Sequence, residues 1–339
     1  AAAAAVWFAG VRLAHYADAV TERTGLGEAF VGALVLGGIT SLPEVATTVT
    51  ASLLGNAALA VNNVFGGVAM QVVVLALADL AVGSRPLSSL SGRPIILLQG
   101  VLVCGLLGIA IAGITVGEPS GLPVGAWSAV VLVVAVGAFY LMQSADPDRR
   151  WEAKGTFGAD NPDQPHSEND GGSPTKPADG LSNEHLTLRM VGVSLIVLVA
   201  GFVVARTGDA IAAQTGLGSG LIGFALVAIS TSLPEVSTTL TAARFGAYGL
   251  AFSNIFGTNV FDVALIFVAD LFYPGGPVLN EVGSFAVLGA VLGQIVTLVY
   301  LAGIIERRDF VIGRLGPDSL IVILVYSGGL VLLYRLSGG

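Results

Sequence analysis

Along this chain the hydrophobic pattern is one of length and not of alternation: apolar runs of about 20 residues, enough to cross a bilayer core as helix, recur from end to end. Ten such runs are read, at roughly 2–22, 28–54, 57–80, 94–116, 123–143, 187–212, 219–243, 247–271, 281–304 and 317–336. Between the fifth and the sixth, residues 144–186 are rich in Pro, Gly, Asp and Asn and carry no apolar period. Such a stretch predicts a flexible, solvated linker. The expected organisation is therefore a five-helix unit over 1–143, a linker over 144–186 and a second five-helix unit over 187–339.

Two of the apolar runs are interrupted in the same way, by TSLPEVATTVT at Thr40–Thr50 and by TSLPEVSTTLT at Thr231–Thr241. An offset of 191 residues carries one onto the other without a gap. The same offset relates Asp18 to Asp209, TGLG at 24–27 to TGLG at 215–218, Asn63 to Asn254, Gly66 to Gly257 and Asp79 to Asp270. A unit with an odd number of spans delivers its second copy into the membrane from the opposite side. The fold expected is thus an all-α membrane protein, ten transmembrane helices in two inverted-topology five-helix repeats, with proline-broken helices at the midplane.

Composition agrees with a membrane: of 339 residues 54% are hydrophobic and 11% charged, and mean hydropathy is +0.83. That excludes an ordinary soluble globular chain. The net charge of −8 does not by itself mark a cationic partner, because nine acids against four bases in 144–186 supply −5 of it. That segment lacks the ordered spacing of an EF-hand loop and reads as a spacer. With both termini outside, the inner connections carry Arg23, Arg85, Arg93, Arg149, Arg150, Lys154, Lys176, Arg189, Arg244, Arg307, Arg308 and Arg314, which is 12 of 15 bases. The outer connections GEPSGLP and FYPGGPVLNE carry none, so the linker is expected in the cytoplasm of a multi-pass cell-membrane protein. Cys104 is the only cysteine, which rules out an intrachain disulfide, and His15, His166 and His185 are scattered. The opening Ala1–Ala5 run lacks the basic start of a signal peptide.

Glu44, Glu235 and Asp262 are the acids deepest in apolar runs; Asp79 and Asp270 lie near helix ends. A carboxylate at the bilayer centre is unfavourable by about 2.5–3.5 kcal/mol or more, and no Lys or Arg shares the depth of these three. The simplest compensation is a bound cation or a proton. Pro43 and Pro234 lack an N–H and leave the carbonyls of Ile39 and Ser230 without their usual helical donor, as in the broken helices of transporters. Around the breaks stand Thr40, Ser41, Thr47 and Thr48 in one copy and Thr231, Ser232, Ser237, Thr238 and Thr239 in the other. At four-residue spacing Thr40 shares a helical face with Glu44, and Thr231 with Glu235. Carboxylate, hydroxyl and carbonyl oxygens without His or Cys favour hard cations such as Ca²⁺ or Na⁺. Blander readings compete at some positions. Thr47, Thr48, Thr238 and Thr239 can simply bond back to their helix, Asn63 and Asn254 can bridge helices, and Gly66 and Gly257 can be close-packing points.

At these residues the sequence resembles the calcium/cation antiporter superfamily, most closely its sodium/calcium exchanger branch. The first family motif stands here as GGITSLPEV with NNVFGGVAMQ, the second as AISTSLPEV with SNIFGTNVFD. The resemblance implies that Glu44 and Glu235 coordinate Ca²⁺ and take part in Na⁺ binding, with Thr40, Ser41, Thr231 and Ser232 beside them. It further implies a hydroxyl and, four residues on, an amide or acid at the site. The second copy keeps these as Thr258 and Asp262, whereas the first has Gly67 and Gln71. Gly67 offers no side-chain oxygen, while Gln71 still presents an amide oxygen. The implied activity is secondary active antiport of Ca²⁺ against Na⁺, or against H⁺ in a proton-coupled relative, by alternating access. It involves no covalent chemistry and no cofactor; the partners are the transported ions and the lipid bilayer, with no nucleic acid and no required oligomer. A cation channel, or a membrane scaffold holding a structural ion, is the reading from another class. A channel usually draws rings of ligands from an oligomer, where this chain has two nonidentical copies of one ligand set.

Overall fold

The computed structural model describes residues 2–24, 33, 36–82, 85–90, 93–119, 124–144, 182–215, 219–307 and 309–337. Nearly all of the predicted linker over 144–186, the TGLG stretches for the most part, and the opening of the predicted 28–54 span lie outside the described residues. The first part of the chain forms α1 (Ala2–Thr24), α2 (Gly37–Thr40), α3 (Leu42–Leu53), α4 (Ala57–Val82), a short α5 (Leu87–Leu90), α6 (Pro94–Val116) and α7 (Ala126–Ser144). The second forms α8 (Asn183–Thr215), a π-helical stretch Ile222–Val227, α9 (Ala228–Thr231), α10 (Leu233–Arg244), α11 (Tyr248–Phe272), α12 (Ser284–Glu306) and α13 (Pro317–Leu336). No β-strand occurs among the described residues.

Six of these helices, α4, α6, α7, α11, α12 and α13, are long and apolar enough to cross a membrane. The other four predicted spans are met by helix at α1, at α2–α3, at α8 and from Ser219 to Arg244. The offset of 191 residues recurs in helix ends, since it carries α2 onto α9 and α3 onto α10 at both termini.

Burial sorts the helices. The apolar stretches of α4 and α11 are 78% and 72% buried, against 22% in α13. Those two therefore form the centre, and α4 packs on α11, α12, α13, α3, α10 and the π-helical stretch. Val101 on α6, Val130 and Val133 on α7, Leu298 on α12 and Leu324 on α13 are exposed, giving the outer surface an apolar character suited to lipid.

Two glycines set how closely the central helices cross. A Cβ at Gly66 would stand 2.1 Å from the Phe224 carbonyl oxygen, and one at Gly257 would stand 2.1 Å from the Ala33 Cβ. Ala33 and Phe224 are themselves 191 residues apart. The close-packing reading of Gly66 and Gly257 is what the structure displays.

At the C-terminal ends of α4 and α11 two buried aspartates fasten loops. Asp79 accepts hydrogen bonds from the backbone N–H of Leu87 at 2.7 Å and of Gly316 at 2.8 Å. Asp270 accepts from Val278 N–H at 2.6 Å, and from the Gly125 N–H and the Ser128 hydroxyl. Each therefore ties a loop just beyond its own helix and the start of the last helix of the other half, α13 for Asp79 and α7 for Asp270.

Candidate cation-binding site

The helix breaks come from one residue in each half. Ser41 has φ −78° and ψ 1°, and Ser232 has φ −78° and ψ 4°, so the chain turns out of helix between α2 and α3 and between α9 and α10. Pro43 and Pro234 then fall in the first turn of the new helix, where a missing N–H is harmless. Glu44 and Glu235 follow directly and so sit at helix N-termini. The partial positive charge there is worth about 0.3–1 kcal/mol to a carboxylate, well short of the 2.5–3.5 kcal/mol cost of placing it at the bilayer centre.

All nine residues read as site candidates are buried: Thr40, Ser41, Glu44, Gln71, Thr231, Ser232, Glu235, Thr258 and Asp262. Asp262 is the junction. The Ser41 hydroxyl donates to its Oδ1 and the Gln71 amide to its Oδ2, each at 2.9 Å. Gln71 and Asp262 are the 191-offset partners of each other, so the two halves meet there. Glu44 faces Asp262, and Glu235 faces both Glu44 and Asp262.

The threonines are exchanged relative to the expectation from spacing. Thr231 stands beside Glu44 and Thr40 beside Glu235. Each hydroxyl also lies within reach of a carbonyl of its own helix, Thr40 Oγ1 of Gly37 O and Thr231 Oγ1 of Ala228 O, both at 3.2 Å. Both oxygens of Glu44 and of Glu235 are buried without a well-formed hydrogen bond, each glutamate having the threonine hydroxyl of the other half beside it. What lines this space is acceptor after acceptor: four carboxylate oxygens and the lone pairs of two threonines. The Gln71 Oε1, Ser232 Oγ and Thr258 Oγ1 atoms are also buried and unpartnered.

No Lys or Arg is buried among the described residues. Nor do three acidic, histidine or cysteine side chains among them draw together into a cage that would hold an ion alone. A cation here must complete its shell with hydroxyl or carbonyl oxygens, the ligands hard cations take.

The bland readings divide. Asn254 Nδ2 does bridge helices, donating to Thr238 Oγ1 and Thr239 Oγ1 at 2.9 Å each, and Thr238 bonds back to Pro234 O at 3.0 Å. Asn63 and Thr48 in the first half make no hydrogen bond through their side chains. Sequence reading passed over Ser52 and Asn259, both buried with unpartnered polar atoms. Ser52 was open to discovery, because it extends Glu44 and Thr48 at four-residue steps; Asn259 had no such signal.

An all-helical bundle with apolar flanks and an acceptor-lined, uncompensated centre defines a class, the multi-pass membrane proteins that handle cations. The chain belongs to the sodium/calcium exchanger protein family, whose family model matches residues 1–145 and 185–335. It is 43% identical over 60 residues to the sodium/calcium exchanger MaX1 of Methanosarcina acetivorans, a stretch spanning only 17% of each protein. Identity to the inner membrane protein YrbG of Escherichia coli K12 is 24% over 265 residues, 77% of this chain and 74% of YrbG. In fold the chain is similar to the sodium-calcium exchanger NCX_Mj solved after soaking with zero Na⁺ and Ca²⁺. The TM-score is 0.66 at 17% identity, covering 98% of this chain and 96% of that one. The family and these structural neighbours are transporters and not enzymes.

Proposed function

We propose that this protein is a secondary active antiporter that exchanges Ca²⁺ for Na⁺ across a cell membrane by alternating access. In this reading ten spans form two inverted five-helix repeats, 1–143 and 187–339, joined by a cytoplasmic linker over 144–186, with both termini outside. The observation that carries it is the pair of buried carboxylates, Glu44 and Glu235, with no well-formed hydrogen bond to their oxygens and no buried described Lys or Arg to answer them. Family membership and the names of MaX1 and NCX_Mj support the choice of ions. The proposed ligands are Glu44, Glu235 and Asp262, with oxygens from Thr40, Ser41, Thr231, Ser232, Gln71 and Thr258. Ca²⁺ and its counter-ion are cargo, and no cofactor is required.

Proton coupling is the second reading, favoured by the first-half departures at Gly67 and Gln71. The Gln71 amide holds Asp262 Oδ2, so one acid oxygen is taken up by a donor where a monovalent cation would need it. The decisive experiment is Ca²⁺ uptake into proteoliposomes with Na⁺ and H⁺ gradients imposed separately. A channel passes Ca²⁺ without an opposing gradient; an antiporter does not.

A variant sharpens the choice. Space around Gly67 is open, with no atom within 4 Å of an added Cβ, so Gly67→Ser is accommodated. Gln71→Asn shortens the amide and withdraws it from Asp262. Together they return oxygens to a hard-cation site, and the double variant is expected to show a steeper dependence of initial Ca²⁺ flux on Na⁺. Asp262→Asn is expected to change the pH dependence of that flux more than Ca²⁺ affinity. Na⁺ and pH curves identical to wild type in both proteins would remove these positions from counter-ion selection.

A further inference from the structure

The offset of 191 residues pairs the two aspartate clasps member by member: Asp79 with Asp270, Leu87 with Val278, Gly316 with Gly125 and Ser319 with Ser128. Around Asp270 the acceptors are answered. The Ser128 hydroxyl donates to Asp270 Oδ2, and the neighbouring Glu118 takes the Trp127 N–H on both its oxygens at 3.0 Å. Around Asp79 they are not. Ser319 is fully buried, its Oγ beside Asp79 and the Tyr300 hydroxyl yet without a well-formed hydrogen bond. Asp318, standing where the other half has Trp127, brings a second carboxylate, and its Oδ2 is sealed from solvent with no partner.

The two acids share one niche. A Cβ at Gly316 would overlap Asp318 Oδ1 and stand 3.3 Å from Asp79 Oδ2, and one at Gly303 on α12 would overlap Asp318 Oδ2. Tyr300, a turn before Gly303, faces both aspartates. The niche therefore joins the end of α4, the flank of α12 and the first turn of α13. That helix N-terminus favours an ionised Asp318 but gives its Oδ2 no N–H. No buried Lys or Arg among the described residues enters the niche, and Arg85 and Arg314 in the flanking loops are exposed. Native proteins pair the great majority of buried polar atoms, so a sealed carboxylate oxygen and a sealed hydroxyl beside a second acid call for a cation.

We propose that Asp79, Asp318 and Ser319 form a second cation site, about 12 Å along α4 from Gln71 and the central site, and that it takes a hard divalent ion of the Mg²⁺ class. The proposal goes beyond the transport reading and does not rest on it. Each oxygen of Asp79 keeps a lone pair besides the one its amide donor uses, while Asp318 Oδ2 and Ser319 Oγ are wholly free to bind. Proteins hold Mg²⁺ through few carboxylates, with water completing the shell, whereas Ca²⁺ draws about six to eight oxygens, more than converge here. Asp318 is part-exposed, which gives the ion and its waters a way in. A bound ion bridges α4 to α13 and cancels the repulsion between the two acids. It thereby completes the clasp that the amides of Leu87 and Gly316 begin.

The test uses the full chain carrying Glu44→Gln and Glu235→Gln, so that the central carboxylates do not compete, with and without Asp318→Asn, which keeps the side chain's shape. The probe is Mn²⁺, whose free form is counted by electron paramagnetic resonance. The Asp318→Asn protein is expected to bind Mn²⁺ at least about tenfold more weakly, since ligand charge sets the affinity of such sites, and Ser319→Ala to show a smaller loss. Weak binding by the acids of 144–186 is common to all three proteins and cancels. Mg²⁺ is expected to displace the Mn²⁺ and to raise the Tm of the protein with Asp318 intact, while leaving that of Asp318→Asn unchanged. Mn²⁺ isotherms that superimpose with and without Asp318→Asn, or displacement by Ca²⁺ in preference to Mg²⁺, overturn the proposal. Should the glutamine background not purify, the Asp318→Asn comparison is made in the otherwise wild-type chain, with the same loss expected and superimposed isotherms again overturning it. No flux is read, so a failure of Ca²⁺ antiport in proteoliposomes is a separate result.

Discussion

Glu44→Gln and Glu235→Gln are each expected to give a folded protein that no longer moves Ca²⁺. Both keep the volume of the side chain and remove one charge from a space lined by acceptors. At about 4 Å and an effective dielectric near 20, a unit charge pair is worth about 4 kcal/mol, and a divalent ion feels more. That is roughly a thousandfold in affinity. The fold should not suffer in the absence of ions, because an uncompensated buried charge is a liability that the neutral amide removes. Wild type is accordingly expected to gain thermal stability on adding Ca²⁺, by ligand linkage, and each variant to lose that gain while its ion-free Tm is equal or higher. Uptake of labelled Ca²⁺ into proteoliposomes and thermal melts with and without Ca²⁺ read both. Near-wild-type flux in both variants would falsify the site.

The second large effect concerns neighbouring glycines of opposite expected sign. Gly66→Ala places a methyl carbon 2.1 Å from the Phe224 carbonyl oxygen, and Gly257→Ala places one 2.1 Å from the Ala33 Cβ. The obstacle in each case is rigid backbone, or a methyl fixed to it, so relief requires moving a whole helix. Overpacking of this kind costs about 1–3 kcal/mol or more, and here it acts at the crossing on which the central helices depend. Gly67→Ala, one residue on, meets nothing within 4 Å and gains about 1 kcal/mol of helix propensity. Gly66→Ala and Gly257→Ala should fail to give monodisperse protein, or melt many degrees lower, while Gly67→Ala should purify like wild type. A wild-type Tm for Gly66→Ala would show that the helix crossing does not depend on this close approach.

Much of this was legible in the sequence, for reasons particular to membranes. Lipid makes a carboxylate so unfavourable that Glu44 and Glu235 announce themselves, and the repetition at one fixed offset marks them twice. The family resemblance added Thr258 and Gln71, and both lie buried near the junction at Asp262. The spacing rule misjudged Thr40 and Thr231. The proline break was expected, but spacing alone could not give its direction: the turn at Ser41 and Ser232 places each threonine beside the glutamate of the other half. Asn63 and Asn254 are alike in sequence and unlike in structure, since what distinguishes them is the packing around each and not its own chemistry. The partners of Asp79 and Asp270 were hidden for another reason: backbone N–H groups are identical at every residue, so nothing in the letters at Gly316 or Gly125 names an aspartate far away.

Those two aspartates set an order on the making of the protein. Asp79 leaves the ribosome 237 residues before the amide of Gly316 that it will hold, and Asp270 reaches back 145 residues to Gly125. While the first half waits in the membrane, α4 ends in a carboxylate with one of its two backbone partners not yet synthesised. Asp270 in turn holds Gly125 at the start of a helix already made. The halves are thus cross-tied, and a chain cut anywhere between Asp79 and Gly316 leaves an acid at the end of α4 short of a donor.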